Sequence, residues 1–121
     1  MRAQLKGLHS PDIDLAKFSP EDPTNISFLL EASIGPENEK GADIFSIQVC
    51  TPNYLLRSEH SGHGVIVGKN RLIVLQEDIG IIRSFIERYC QRCSGSTWVE
   101  VAQKLEGLGE WEFSGYRPHQ P

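Results

Sequence analysis

"ISFLLEASIGPENEKGADIFSIQV", residues 26–49, is the stretch whose reading decides the fold. Ile26, Phe28, Leu30, Ala32 and Ile34 alternate with Ser27, Glu31 and Ser33. Beyond the polar "GPENEKGA", Phe45, Ile47 and Val49 alternate with Ser46 and Gln48. Alternation with period two places one set of side chains on each face of an extended chain, so the stretch predicts two strands with one buried face each. A connection carrying Gly, Pro and Asn predicts that they pair as a hairpin. It is longer than the tightest hairpin turns, and that leaves the register open.

Working outward, Met1, Ala3 and Leu5 alternate with Arg2, Gln4 and Lys6, which predicts a further strand over residues 1–9. "SPDIDLAKFSPEDPTN", residues 10–25, is rich in Pro, Asp and Ser and reads as a long loop, with room for a short helical turn. On the other side, Thr51 before Pro52 is a helix start, because the hydroxyl caps a free amide and proline has no amide to leave unpaired. That short helix is expected to run to about Glu59. After the loop "HSGHGVIVGKN", the β-branched run "RLIVLQ", residues 71–76, predicts another strand.

From Asp78 to Cys93 the apolar residues Ile79, Ile82, Phe85, Ile86, Tyr89, Cys90 and Cys93 recur at spacings of three and four. This predicts an amphipathic helix capped at Asp78 and stopped by Gly95. Thr97-x-x-Glu100 matches a capping box and opens a second helix with Trp98, Val101, Ala102 and Leu105 on its inner stripe, ending at Gly107 or Gly109. "EWEFSGY", residues 110–116, reads as a closing strand. Strands first and helices later is the α+β order: an antiparallel sheet of about four to five strands packed with two main helices in the C-terminal half.

The 121 residues suit one domain, 1–121, by size. "LIVL" is the longest apolar run, too short to span a membrane, and "MRAQLKGLHS" lacks the apolar segment of a secretory signal. An odd count of three cysteines fits a reducing compartment, so the expected location is the cytoplasm. A net charge of −4 argues against a nucleic-acid partner, whose phosphates need Lys and Arg; it suits attraction of a basic protein.

"RYCQRCSG", residues 88–95, holds a Cys-x-x-Cys, and "EHSGHG" upstream holds His60 and His63. A redox dithiol uses the N-terminal end of a helix, where the dipole favours thiolate, whereas Cys90 and Cys93 fall at the C-terminal end. Both lie on the apolar stripe, so core packing is the preferred reading. A zinc site of His60, His63, Cys90 and Cys93 departs from finger spacing and order, and stands as the alternative: a small metal-binding or thiol-dependent regulator. Asp12 and Asp14 supply two carboxylates, yet Asp in such a loop commonly caps a turn. His9, Ser10 and Asp12 supply hydrolase residue types without a nucleophile elbow. No catalytic constellation, metal site or cofactor is expected.

Three segments together resemble the Immunity protein 8 family of bacterial polymorphic toxin systems: "LKGLHSPDIDL" (5–15), "DIFSIQVCTPNYL" (43–55) and "RLIVLQEDIGIIRSFIERYCQRCSGSTWVEVAQKLEGLGEWEFSGY" (71–116). The most specific parts are "VCTP", residues 49–52, and "WVEVAQKL" to "GEWEF", residues 98–113. The resemblance implies an α+β fold and a cytoplasmic antidote, as in contact-dependent growth inhibition, that binds a cognate toxin domain and performs no catalysis. "RSEHSGHGVIVGKN", residues 57–70, follows no motif, so the resemblance leaves the toxin class open. Many such toxins are nucleases with a basic groove, which an acidic antidote would suit. The expected contacts are therefore exposed acidic residues in turns, Glu21 and Asp22 in "SPEDP" and Glu37 and Glu39 in "PENEK", with Trp111 and Glu112 near the closing strand.

Overall fold

A computed structural model describes residues 1–57 and 64–115. The two alternating segments form β2 (Ser27–Pro36) and β3 (Asp43–Cys50), paired antiparallel in one unbroken register from Ser27 opposite Cys50 to Ile34 opposite Asp43. All eight apolar residues of the alternation are buried, Ile26 and Phe28 through Ile34 from one segment and Phe45, Ile47 and Val49 from the other. Each large side chain taken out of water contributes roughly 1.5–3 kcal/mol, so this face is the centre of the core.

β1 (Ala3–His9) lies antiparallel on the outer side of β2. A bulge between Leu5 and Gly7 adds one residue and shifts the parity, so Ala3, Leu5 and Leu8 all reach the core. The loop after β1 is folded back over the sheet. Phe18 packs edge-on against Phe28 with centroids 5.5 Å apart, and the Asp12 carboxylate accepts from the Leu29 amide at 2.7 Å, beyond the end of β1. Thr51 joins the ladder to α1 (Pro52–Arg57): its buried hydroxyl accepts from the amides of Ile26 at 3.1 Å and Tyr54 at 3.4 Å.

β4 (Arg71–Ile73) corrects two expectations. It pairs with β3 in parallel, so the sheet is mixed; parallel neighbours need a crossover connection, not a tight turn. It also stops at Ile73, not Gln76. β3 ends at Cys50, whose carbonyl accepts from Val74, and no partner strand remains beyond it. β5 (Glu110–Trp111) is likewise shorter than the expected 110–116; it pairs with Phe45 and Ser46 at the other half of the same edge. Tyr116 lies outside the described residues, as does the expected end of the first helix.

α2 (Ile79–Gln91) and α3 (Trp98–Leu105) cover the core face with Ile82, Ile86, Cys90, Val101, Ala102 and Leu105. Asp78 caps α2 by accepting from Ile81 at 3.2 Å. The helix ends at Gln91, ahead of the expected Gly95 stop, and Cys93 lies in the junction, where its carbonyl accepts from Ala3 at 3.0 Å. In α3, Thr97 accepts from Glu100 as a capping box predicts, but the Glu100 carboxylate accepts from Ser96 instead of Thr97.

One carboxylate oxygen ties the C-terminal elements to the sheet. Asp43 Oδ2 at the start of β3 accepts from Trp98 Nε1 at 2.7 Å and from Trp111 Nε1 at 2.9 Å. Trp111 also stacks on Phe45 with centroids 6.4 Å apart. Beside it, the backbone at Gly109 lies so close to β3 that an added Cβ would sit 2.6 Å from Ile47 Cγ1, so a side chain there would displace β5. Asp43→Ala is expected to lower stability by about 2–3 kcal/mol, because two half-buried donors lose their acceptor. Asp43→Asn, which keeps a side-chain oxygen, should recover most of that loss in urea unfolding followed by far-ultraviolet circular dichroism. Equal losses in both variants would assign the effect to charge and not to the shared acceptor.

Candidate protein-binding surface

The acidic residues expected to make contacts fall into two groups at opposite ends of the sheet. Glu37 and Glu39 are exposed in the turn between β2 and β3. The turn is held by its backbone: the Glu37 amide donates to Arg2 at 2.9 Å, and the Lys6 ammonium donates to the carbonyls of Glu39 and Gly41. Both carboxylates line a polar cleft with Arg2, Ser94 and Ser96, and neither forms an ion pair among the described residues. β5 brings Trp111 and exposed Glu112 to this same end, where the Glu112 amide donates to Ile44 at 2.9 Å.

Glu21 and Asp22 precede β2, and the ten residues of that strand span roughly 30 Å. They therefore do not join the other four in one patch. Asp22 already has local partners: the Thr24 hydroxyl at 2.6 Å and amide at 3.0 Å hold its carboxyl below the usual carboxylate range, with Arg57 at 3.9 Å adding to the effect. The Thr24 hydroxyl in turn accepts from Asn53, so this loop is pinned to α1.

A surface that the sequence reading missed lies at the Asp22 end. Where β4 leaves the sheet, residues 72–76 and the first turns of α2 enclose an apolar groove of about 550 Å³, lined by Leu72, Ile73, Leu75, Ile81 and Phe85. Leu75 is 83% exposed, Ile81 56%, Ile73 51% and Phe85 39%. Phe85, expected on the inner stripe, is thus a correction: α2 turns it outward beside Tyr89, while Ile82 and Ile86 fill the core. Four consecutive apolar residues in "LIVL" were a signal, since a strand covered on one face needs only every second one. Val65 and Val67, across the turn closed by Arg71 donating to Gly68, are also exposed. The open face of the sheet is different in kind, carrying His9 paired with Glu31 at 3.2 Å and Gln48 donating to Ser27 at 2.8 Å.

The remaining chemical candidates resolve into packing and caps. Ser10 accepts from the amides of Asp12 and Ile13, Asp14 accepts from Ala16, and His9 turns to Glu31 and not to Ser10. Cys50, Cys90 and Cys93 are buried free thiols. Burial raises all three; Cys90 is pushed up to about 12, with Cys93 and Glu87 adding to the effect of burial. Such thiols resist forming the thiolate that metal binding or exchange requires. His60 and His63 lie outside the described residues, and among the described residues no group of three His, Cys, Asp or Glu side chains is placed to hold a metal. No helix among the described residues is long and apolar enough to cross a membrane.

A family model described as Immunity protein 8 matches residues 3–116. No curated protein and no solved structure matches the chain.

The buried thiols set a pH dependence whose sign is fixed. Between the unfolded thiol pKa of about 8.5 and the raised folded value, the unfolded chain releases a proton that the folded chain keeps, so stability falls as pH rises. The denaturation midpoint is expected to drop from pH 8.5 to pH 10.5, at a slope of up to about 1.4 kcal/mol per pH unit for Cys90. Cys90→Ala should be less stable at pH 7 yet lose stability less steeply; an unchanged slope would remove Cys90 as its source.

Proposed function

Since the chain belongs to the Immunity protein 8 family, we propose that it neutralises a cognate toxin domain by binding it one-to-one and occluding its active site in the cytoplasm of the producing cell. The family match over residues 3–116 carries this reading, because immunity is achieved by recognition of a protein. The partner is a toxin domain with a basic substrate groove, as a nuclease has, drawn by a chain of net charge −4.

The contact set is Glu37, Glu39, Trp111 and Glu112, which share one end of the sheet. Support comes from their chemistry: two carboxylates without ion pairs among the described residues sit in a turn whose backbone is held by the Arg2 carbonyl and the Lys6 ammonium, at the end of the sheet that also carries a half-buried aromatic side chain. A rigid acidic turn loses little conformational entropy on docking, and Trp is enriched at the centres of interfaces. A standard interface covers about 800 Å² per partner, too small to be centred on both ends of the sheet. Glu21 and Asp22 therefore act on approach, through the field of the whole molecule, with Asp22 partly compensated by Arg57.

Co-expression with the active toxin encoded beside its gene is expected to restore growth, and calorimetric titration into the inactivated toxin domain should give nanomolar one-to-one binding. Glu37→Lys with Glu39→Lys should slow association about tenfold or more at low ionic strength, with a smaller effect at high salt. Unchanged association kinetics would take the turn out of the interface.

A further inference from the structure

The groove between residues 72–76 and α2 continues beyond its apolar lining. α2 carries an outer stripe at spacings of four, three and four, and residues so spaced stand one above another on a helix. Ile81 and Phe85 form its first half, inside the groove, and exposed Arg88 and Arg92 continue it to the C-terminal end of the helix. We propose that this face is a second protein-binding site, separate from the acidic contact set, and that it takes an acidic segment of a further protein anchored by large apolar side chains. The anchors fill the groove, and carboxylates beside them in the segment meet Arg88 and Arg92.

Charge complementarity selects this occupant. The chain has a net charge of −4, yet from Ile79 to its C-cap Arg92 the helix carries Arg83, Arg88 and Arg92 against Glu87 alone. Glu87 lies one turn beyond Arg83, on the flank of the helix, and residues adjacent in a helical sequence do not face each other. Neither Arg88 nor Arg92 forms an ion pair among the described residues. A guanidinium offers a planar fork of donors that matches a carboxylate, so two unpaired forks in line with an apolar recess suit an acidic segment. The same arginines repel a basic toxin groove, which sets this face apart from the surface assigned to the toxin.

The other end of the groove fixes how the segment lies. Glu77 and Asp78 stand where the chain enters α2, and the Asp78 carboxylate accepts from the Ile81 amide. An acidic side chain of the segment is repelled there and attracted at the far end of the helix, whose 13 residues span roughly 20 Å. The segment therefore runs along α2 with its anchors over Leu75, Ile81 and Phe85 and its carboxylates toward Gln91. Apolar anchors in a groove and acidic motifs on clustered arginines are both recurring modes of binding a short segment. A recess of about 550 Å³ receives discrete side chains, whereas a lipid surface is met by apolar side chains that project into it.

Fluorescence anisotropy of the full chain with three labelled peptides tests the proposal. One peptide has leucine and phenylalanine anchors followed by glutamates, the second has lysines in place of the glutamates, and the third has serines in place of the anchors. The first is expected to bind in the micromolar range, and the other two at least about tenfold more weakly. Arg88→Glu with Arg92→Glu should reverse the preference between glutamate and lysine peptides, and Leu75→Glu should weaken the glutamate peptide at least about tenfold. Glu37→Lys with Glu39→Lys should leave its binding unchanged. Circular dichroism and urea midpoints confirm that each variant is folded, and the arginine and leucine variants serve as independent readings should one fail. No binding of the glutamate peptide up to millimolar concentration overturns the proposal, as does equal binding of all three peptides or binding that the arginine variant leaves intact. Binding to phosphatidylglycerol vesicles in place of the peptide would assign the face to a lipid surface, and a dimer in sedimentation that Leu75→Glu dissolves would assign it to a second copy; either result overturns the proposal. Titration of the arginine variant into the inactivated toxin domain separates the two surfaces. Unchanged toxin binding supports the second site, and loss of toxin binding makes the toxin its occupant and overturns it. A chain that takes the glutamate peptide but neither binds a toxin nor rescues growth would sink the toxin reading and leave this one standing.

Discussion

β3 has one free edge, and the rest of the structure follows from how that edge is divided. Its other side is committed to β2 along the whole strand. The remaining backbone groups of eight residues must serve two segments, β4 against Gln48–Cys50 and β5 against Phe45–Ser46. β4 cannot lengthen. It would need β3 to continue past Cys50, and there the chain turns through Thr51 into α1. Because unpaired strand residues gain little from staying extended, residues 74–77 leave the sheet and carry Leu75 to the surface. The groove is a product of that limit, while β5 at the other half of the edge sets Trp111 on Phe45.

A sheet covered on one face also explains what was legible in the sequence. The alternation in residues 26–49 gives strand positions, buried face and pairing at once, because one covered face demands period two. Thr51, Asp78 and Thr97 each announce a helix through a side chain that accepts from a backbone amide, and such signals lie within four residues of the structure they create. The parallel sense of β4 left no such mark. It depends on which way the chain runs when it re-enters beside β3, a choice made by tertiary contacts. The bulge after Leu5 is equally silent, since either Gly7 or Leu8 satisfies a polar-apolar pattern, and packing against α2 selects Leu8.

The binding surface was harder to read than the fold. Acidic residues in turns are visible as letters, but their distance apart is not: Asp22 and Glu37 are separated by one strand in the sequence and by the length of the sheet in space. Phe85 illustrates the opposite error. Its spacing fits the inner stripe of α2, yet the stripe of a helix packed at the margin of a sheet is narrower than its apolar content, and the surplus faces outward. The resemblance in residues 49–52 and 98–113 reached the family because those segments hold the junctions of the fold: Thr51 between sheet and helix, Trp98 and Trp111 around Asp43.

That shared acceptor has a spectroscopic meaning. Trp98 and Trp111 are the only two tryptophans in the chain, and both indole N–H groups end on one oxygen of Asp43. Tryptophan emission responds to the polarity and hydrogen bonding around the ring, so the intrinsic fluorescence of the whole protein comes from a single corner. That corner lies where β3, α3 and β5 meet, at the same end as the acidic turn. The molecule thus carries its own optical label at that end, and a change in emission upon adding another protein would report on this junction without any dye being attached.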